Sequence, residues 1–180
     1  VARNHPDYNA LALLDIVVTG GAGGSPASRL FALREKTGLF YMIGGSLLYG
    51  AHKEPGIRFI KTIVAPEKAD HAQNLILETF ENVSQHGISA EEFEMAKNVY
   101  FASSVELFET NAQTAQTFLF LKKLNLNFNL FDKQGEILSI LKLDQVNNVA
   151  RQYCTGEQMS LISIGRSLSD KVSVRKGRVR

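Results

Sequence analysis

Within nine residues, Leu33-Arg34-Glu35-Lys36-Thr37-Gly38-Leu39-Phe40-Tyr41, the chain changes its period. Before Gly38 the apolar residues recur at helical spacing. From Tyr41 onward they alternate as in a strand. Glycine is the ordinary stop for a helix, because it takes the left-handed conformation that closes the last turn without steric cost. A helix fed into a strand at one glycine must pack back on the sheet that it enters, and this restricts the fold to a layered mixture of the two. The same segment carries Arg34, a permanent cation, and Tyr41, a phenol, to one end of that sheet. Donors of this kind suit a site that stabilises negative charge on a peptide carbonyl.

The remaining pattern extends this reading. Asp7 is placed to cap a first helix, with Ala10, Leu13, Leu14, Val17 and Val18 at helical spacing behind it. Four glycines, Gly20, Gly21, Gly23 and Gly24, end that helix. Ser25 is expected to cap a second one with Pro26 at its first position. Tyr41 to Ala51 reads as a strand, and Gly44-Gly45 within it suggests a bulge or a close backbone approach. Pro55-Gly56 marks a turn, so Ile57 to Val64 returns as an antiparallel partner. Pro66 opens a helix that Gly87 ends. Ser89-Ala90-Glu91-Glu92 is a capping box for a long helix with a break near Ser103 or Asn111. Helices follow over about 130–141 and 144–153, then a last strand from Met159 to Ile164. The expected class is α+β: helices packed on one face of a mainly antiparallel sheet. Residues 1–166 form one domain and 167–180 a basic tail. Three strands are few for so many helices, so we read the chain as a piece of something longer, with one or more strands before Val1.

Composition closes several functional classes. The 180 residues are 44% hydrophobic and 21% charged, with a net charge of +2, whereas a nucleic-acid binder shows a concentrated basic face. No apolar run approaches the roughly 20 residues that span a bilayer. The five basic residues between Lys171 and Arg180 read as a solvated tail. Compartment stays open among cytoplasm, periplasm and mitochondrial matrix, and homo-oligomerisation stays open too.

A hydrolytic zinc site needs imidazoles and carboxylates on one face, usually three or four residues apart on a helix. The four histidines, His5, His52, His71 and His86, offer no such pair. We therefore assign this chain no metal and no catalytic residue of its own. Cys154 reads as a buried structural cysteine, and Ser28 and Ser46 have no visible base. The glycine cluster lacks the preceding strand and the lysine of a phosphate loop, which leaves it as a connector or as a loop that touches a peptide. From the residues alone, Arg34 is a helix-end arginine in solvent and Tyr41 a half-buried strand residue.

A longer pattern changes that weight. His5-Pro6-Asp7-Tyr8, the glycines, Ser28-Arg29-Leu30-Phe31, Leu33-Arg34-Glu35-Lys36, Gly38-Leu39 and Tyr41 follow one another in order. Ala65-Pro66-Glu67-Lys68, Gly87-Ile88-Ser89 and Glu91-Glu92-Phe93-Glu94-Met95-Ala96-Lys97 continue it. Together they resemble the pitrilysin/insulinase family of zinc peptidases over about residues 4–155. The resemblance implies the fold of the mitochondrial processing peptidases and a place in the later part of the C-terminal, non-zinc half. A zinc-bearing N-terminal half or partner subunit would complete a chamber around an extended peptide. Arg34 and Tyr41 match in type and spacing the pair that reaches the substrate, Tyr41 as a donor near the scissile carbonyl and Arg34 as a fixed charge. Gly20, Gly21, Gly23 and Gly24 fall where a glycine-rich substrate loop occurs in one subunit of the processing peptidases, in a shorter form here. The chain would be inert alone. The alternative implied by the same family is a non-catalytic scaffold subunit of a respiratory complex.

Overall fold

The computed structural model describes residues 1–21, 24–155 and 159–165. Among these, the chain runs α1 (Tyr8–Thr19), α2 (Arg29–Thr37), β1 (Phe40–Tyr49), β2 (Ile57–Val64), α3 (Ala69–His86), α4 (Ala90–Glu106), α5 (Asn111–Leu124), α6 (Gln134–Ile140) and α7 (Leu143–Tyr153). A single 3₁₀ turn, Pro66–Lys68, leads into α3. The α+β expectation holds: seven helices surround an antiparallel β1–β2 pair.

Helix α1 is the centre of the core. It is apolar almost all round, and a helix of that kind is stable only when enclosed. It packs against β1, α4 and α7. Leu13, Leu14, Val17 and Val18 are fully buried, joined by Phe80, Val83, Ala96, Val146 and Ala150 from the helices around them. Each buried Leu or Val side chain contributes about 1.5–3 kcal/mol, so a cavity anywhere along α1 weakens the whole domain. Gly20 closes α1 in the left-handed conformation at φ 95° and Gly38 closes α2 at φ 59°. The predicted stops therefore stand. The capping box at Ser89 and Glu92 is formed in both directions, at 3.1 and 2.8 Å.

Five local expectations are corrected. The cap of α2 is Ser28, whose Oγ accepts from Phe31 N at 3.3 Å. Ser25-Pro26-Ala27 is spent on a turn, closed by Ser28 N donating to Ser25 O at 3.1 Å; proline prefers the second position of such turns. Asp7 holds the N-cap position of α1, yet its carboxylate makes no cap bond and accepts instead from the Tyr153 hydroxyl at 3.0 Å. Gly44 and Gly45 stay in register opposite Lys61 and Ile60, and the irregularities fall on either side, at 40–42 and 46–49. The close approach expected there is real at Gly45, where a Cβ would strike Phe59 O. The chain between α5 and α6 is longer than expected, with α6 beginning only at Gln134. Finally, residues 159–165 form no strand; Ile162 and Ile164 are exposed. Strand propensity becomes a strand only where a neighbour takes the backbone hydrogen bonds.

The expected tail, 167–180, lies outside the described residues, as does Gly23. Among the described residues no helix is long and apolar enough to cross a membrane.

Candidate functional site

Arg34 sits in the last turn of α2 and Tyr41 is the second residue of β1, with the Gly38 turn between them. Neither is enclosed in hydrocarbon. Tyr41 is 79% exposed, which makes it the most accessible of the β1 side chains. Arg34 donates through Nη1 to Glu35 Oε1 at 2.9 Å, and its guanidinium lies 5.6 Å from the centre of the Phe31 ring. A surface ion pair of this sort is worth less than about 1 kcal/mol. Glu35 therefore competes weakly, and a carboxylate or carbonyl presented by a ligand can recruit the arginine.

Phe31 also lines a cleft of about 130 Å³. Thr19, Gly21, Gly24, Ser25 and Ser28 form its helix-connecting wall, and Ile43, Gly44 and Gly45 of β1 form the other. Four of these residues are glycines, two on each wall, so part of each wall presents backbone. The predicted glycine loop is thereby set against the strand that carries Tyr41, two residues before Ile43. Gly20 has a different task. At its φ of 95° a Cβ would meet Ser25 N at 2.6 Å, and its carbonyl accepts from that same amide at 2.9 Å. Gly20 and Ser25 thus meet at the base of the loop.

Two groups behind the cleft carry its geometry. Arg29, directly after the Ser28 cap, donates through Nε and Nη2 to Glu92 at 2.8 Å each, through Nη1 to Asn82 at 3.1 Å, and through Nη2 to Gly87 O at 3.0 Å. This fixes the start of α2 to the end of α3 and the start of α4. The Arg29 bonds, outweighing burial, hold the Glu92 carboxyl below its ordinary value. Asp15, in α1, is buried and accepts from Thr19 Oγ1 at 2.6 Å, Ser46 Oγ at 2.9 Å and Leu47 N at 2.8 Å. Burial pushes its carboxyl up while those donors pull it down, and burial wins. Sequence reasoning assigned Ser46 no partner of this kind and passed over Asp15. The available signal was that Asp15 is the one charged residue in an otherwise apolar helix.

The other candidates keep to structural places. Cys154 is buried and its thiol is pushed up to about 12 by burial, so it is no nucleophile. The His52 ring meets Phe120 edge-on at 5.5 Å, and His86 Nδ1 lies 3.2 Å from Asn82 O. Among the described residues no three His, Cys, Asp or Glu side chains converge to hold a metal.

Solved structures share this fold. A peptidase M16 inactive domain from Pseudomonas fluorescens aligns with a TM-score of 0.71 at 23% identity, over 85% of this chain and 35% of that one. A protein of Bordetella pertussis Tohama I, provisionally named a zinc protease, aligns with a TM-score of 0.69 at 22% identity, over 87% of this chain and 82% of that one. The inactive peptidase domain of a Bordetella parapertussis protein with the same provisional name gives 0.70 at 21% identity, over 87% and 82%. The chain thus spans about a third of the Pseudomonas protein and most of the two Bordetella chains. No curated protein matches. The family model of the peptidase M16 inactive domain matches residues 1–100, more than half of the 180. The chain belongs to the family of peptidase M16 inactive domains.

Proposed function

We propose that this chain is the substrate-contacting, non-zinc portion of a zinc metalloendopeptidase, in which it binds an extended peptide and completes a chamber closed by a zinc-bearing half. Membership of the inactive-domain family supports the division of labour. The exposed Arg34 and Tyr41, beside a cleft walled in part by backbone, support the contact with peptide. Tyr41 donates to the substrate main chain near the scissile carbonyl, and Arg34 adds a fixed charge that holds the bound strand. Hydrogen-bond donors already in place where charge develops need no reorganisation during reaction, which is the origin of their effect on rate. Gly20, Gly21, Gly23 and Gly24 supply a loop that a peptide can approach closely. Zinc belongs to the other half; the present residues hold none and do no chemistry alone.

The test uses the complete protein, with its zinc-bearing half. Arg34→Ala or Tyr41→Phe is expected to lower kcat/KM on an internally quenched peptide by about 10- to 100-fold, with zinc content unchanged. The 180-residue chain alone is expected to hydrolyse nothing. Normal turnover in both variants overturns the assigned roles.

A further inference from the structure

A carboxylate buried in an apolar helix without a cation is expensive unless hydrogen bonds satisfy it. Asp15 is this case. It is 5% exposed, and among the described residues no arginine, lysine or histidine is paired with it. An ionised carboxylate accepts only, at about four lone-pair positions, and what Asp15 accepts joins two elements distant in sequence. On the strand side, Ser46 Oγ donates to Oδ2 at 2.9 Å and Leu47 N to Oδ1 at 2.8 Å. These residues occupy the irregularity between Ser46 and Tyr49, where the β1–β2 register breaks. The next amide, Leu48 N, donates to Ser46 Oγ at 3.0 Å. The carboxylate and its serine thus satisfy the two amides that follow Ser46.

On the helix side, Thr19 Oγ1 donates to Oδ1 at 2.6 Å and accepts from Gly21 N at 3.2 Å. The Asp15 backbone carbonyl accepts from Gly20 N at 3.1 Å and Gly21 N at 3.3 Å. One residue therefore reaches both walls of the cleft: Thr19 and Gly21 on the loop, and the strand directly after Gly44 and Gly45.

We propose that Asp15 is a positioning residue for this cleft, clamping β1 at Ser46–Leu47 to the last turn of α1 and so setting the gap that a peptide main chain enters. The inference rests on the peptide-binding reading above. Two walls that each carry a pair of glycines, Gly21 and Gly24 against Gly44 and Gly45, let an extended backbone approach closely, and Phe31 beside them offers an apolar face to one of its side chains. Asp15→Ala removes both acceptor oxygens, so Thr19, Ser46 and Leu47 lose their common partner; the Leu47 amide is left unsatisfied and the strand is released from the helix.

The experiment measures Kd for a fluorescein-labelled, unstructured peptide by anisotropy, on the complete protein with its zinc-bearing half, alongside Tm. Asp15→Ala is expected to raise Kd about 10-fold or more, and Ser46→Ala, which keeps the carboxylate and two of its donors, about 3-fold. Val17→Ala, a cavity in the same helix that touches none of these bonds, is expected to lower Tm with Kd unchanged. Gly44→Ala alters the same gap, so its effect on Kd and that of Asp15→Ala are expected to be non-additive. If Asp15→Ala does not fold, Ser46→Ala and its cycle with Gly44→Ala decide the matter. An unchanged Kd in Asp15→Ala or Ser46→Ala, an equal rise in Val17→Ala, or full additivity overturns the role of Asp15. A weakened Asp15→Ala beside normal Arg34→Ala and Tyr41→Phe upholds it and removes only the roles given to Arg34 and Tyr41. A wild type that binds no peptide overturns both proposals.

Discussion

Glu92 accepts from two directions. Ser89 N donates to it from its own helix terminus at 2.8 Å, and Arg29 donates from α2, also at 2.8 Å. Because these contacts lower its folded-state pKa, the ionised carboxylate stabilises the fold above the unfolded value of about 4.3. That contribution is lost as pH falls through the lower, folded value. Glu92→Gln is expected to cost about 1 kcal/mol at pH 7, a figure reduced for partial exposure. The difference from wild type should shrink between about pH 5 and pH 3, which urea unfolding at a series of pH values measures. A gap that stays constant with pH would show that Arg29 works through packing rather than charge. Arg29 was legible only as part of a motif. Its partners Asn82, Gly87 and Glu92 lie 53 to 63 residues away, and no local rule brings such groups together.

Among the elements, the β1–β2 hairpin shows which parts of a pattern can be read locally. Its two strands follow from alternation, whereas the turn expected at Pro55-Gly56 comes earlier, where Ala51 N donates to Leu48 O at 3.0 Å. The irregularity after Ser46 does not follow from local rules, because Asp15 on another element takes the Leu47 amide. The misplaced cap of α2 has a similar cause: Ser25 and Ser28 are both capping residues, and Pro26 satisfies a turn as readily as a first helical turn. The adjacent glycines of β1 separate shape from function. At Gly45 a Cβ would crowd Phe59 O and meet Ile60 Cδ1 at 2.7 Å, whereas Gly44 has nothing within 4 Å. Gly45→Ala is expected to force the strands apart and cost about 1–3 kcal/mol, seen as a lowered Tm. Gly44→Ala should leave Tm near wild type and weaken peptide binding alone.

At the scale of the whole molecule, the α+β class was legible because each helix and strand shows its own period. The way α1 becomes the common centre of β1, α4 and α7 was not, since enclosure depends on what the other elements bring. The expectation that this chain holds no zinc came from histidine spacing alone. What the sequence could not supply is the pairing that a last strand needs. Met159-Ser160-Leu161-Ile162-Ser163-Ile164 carries no charge, proline or glycine, and Ile162 and Ile164 are 78% and 95% exposed. Six residues of this make-up are the usual seed of cross-β self-association. Concentrated solutions of the isolated chain should therefore gain thioflavin fluorescence and turbidity on storage, and Ile162→Lys, a gatekeeper charge within that run, should suppress both without shifting Tm.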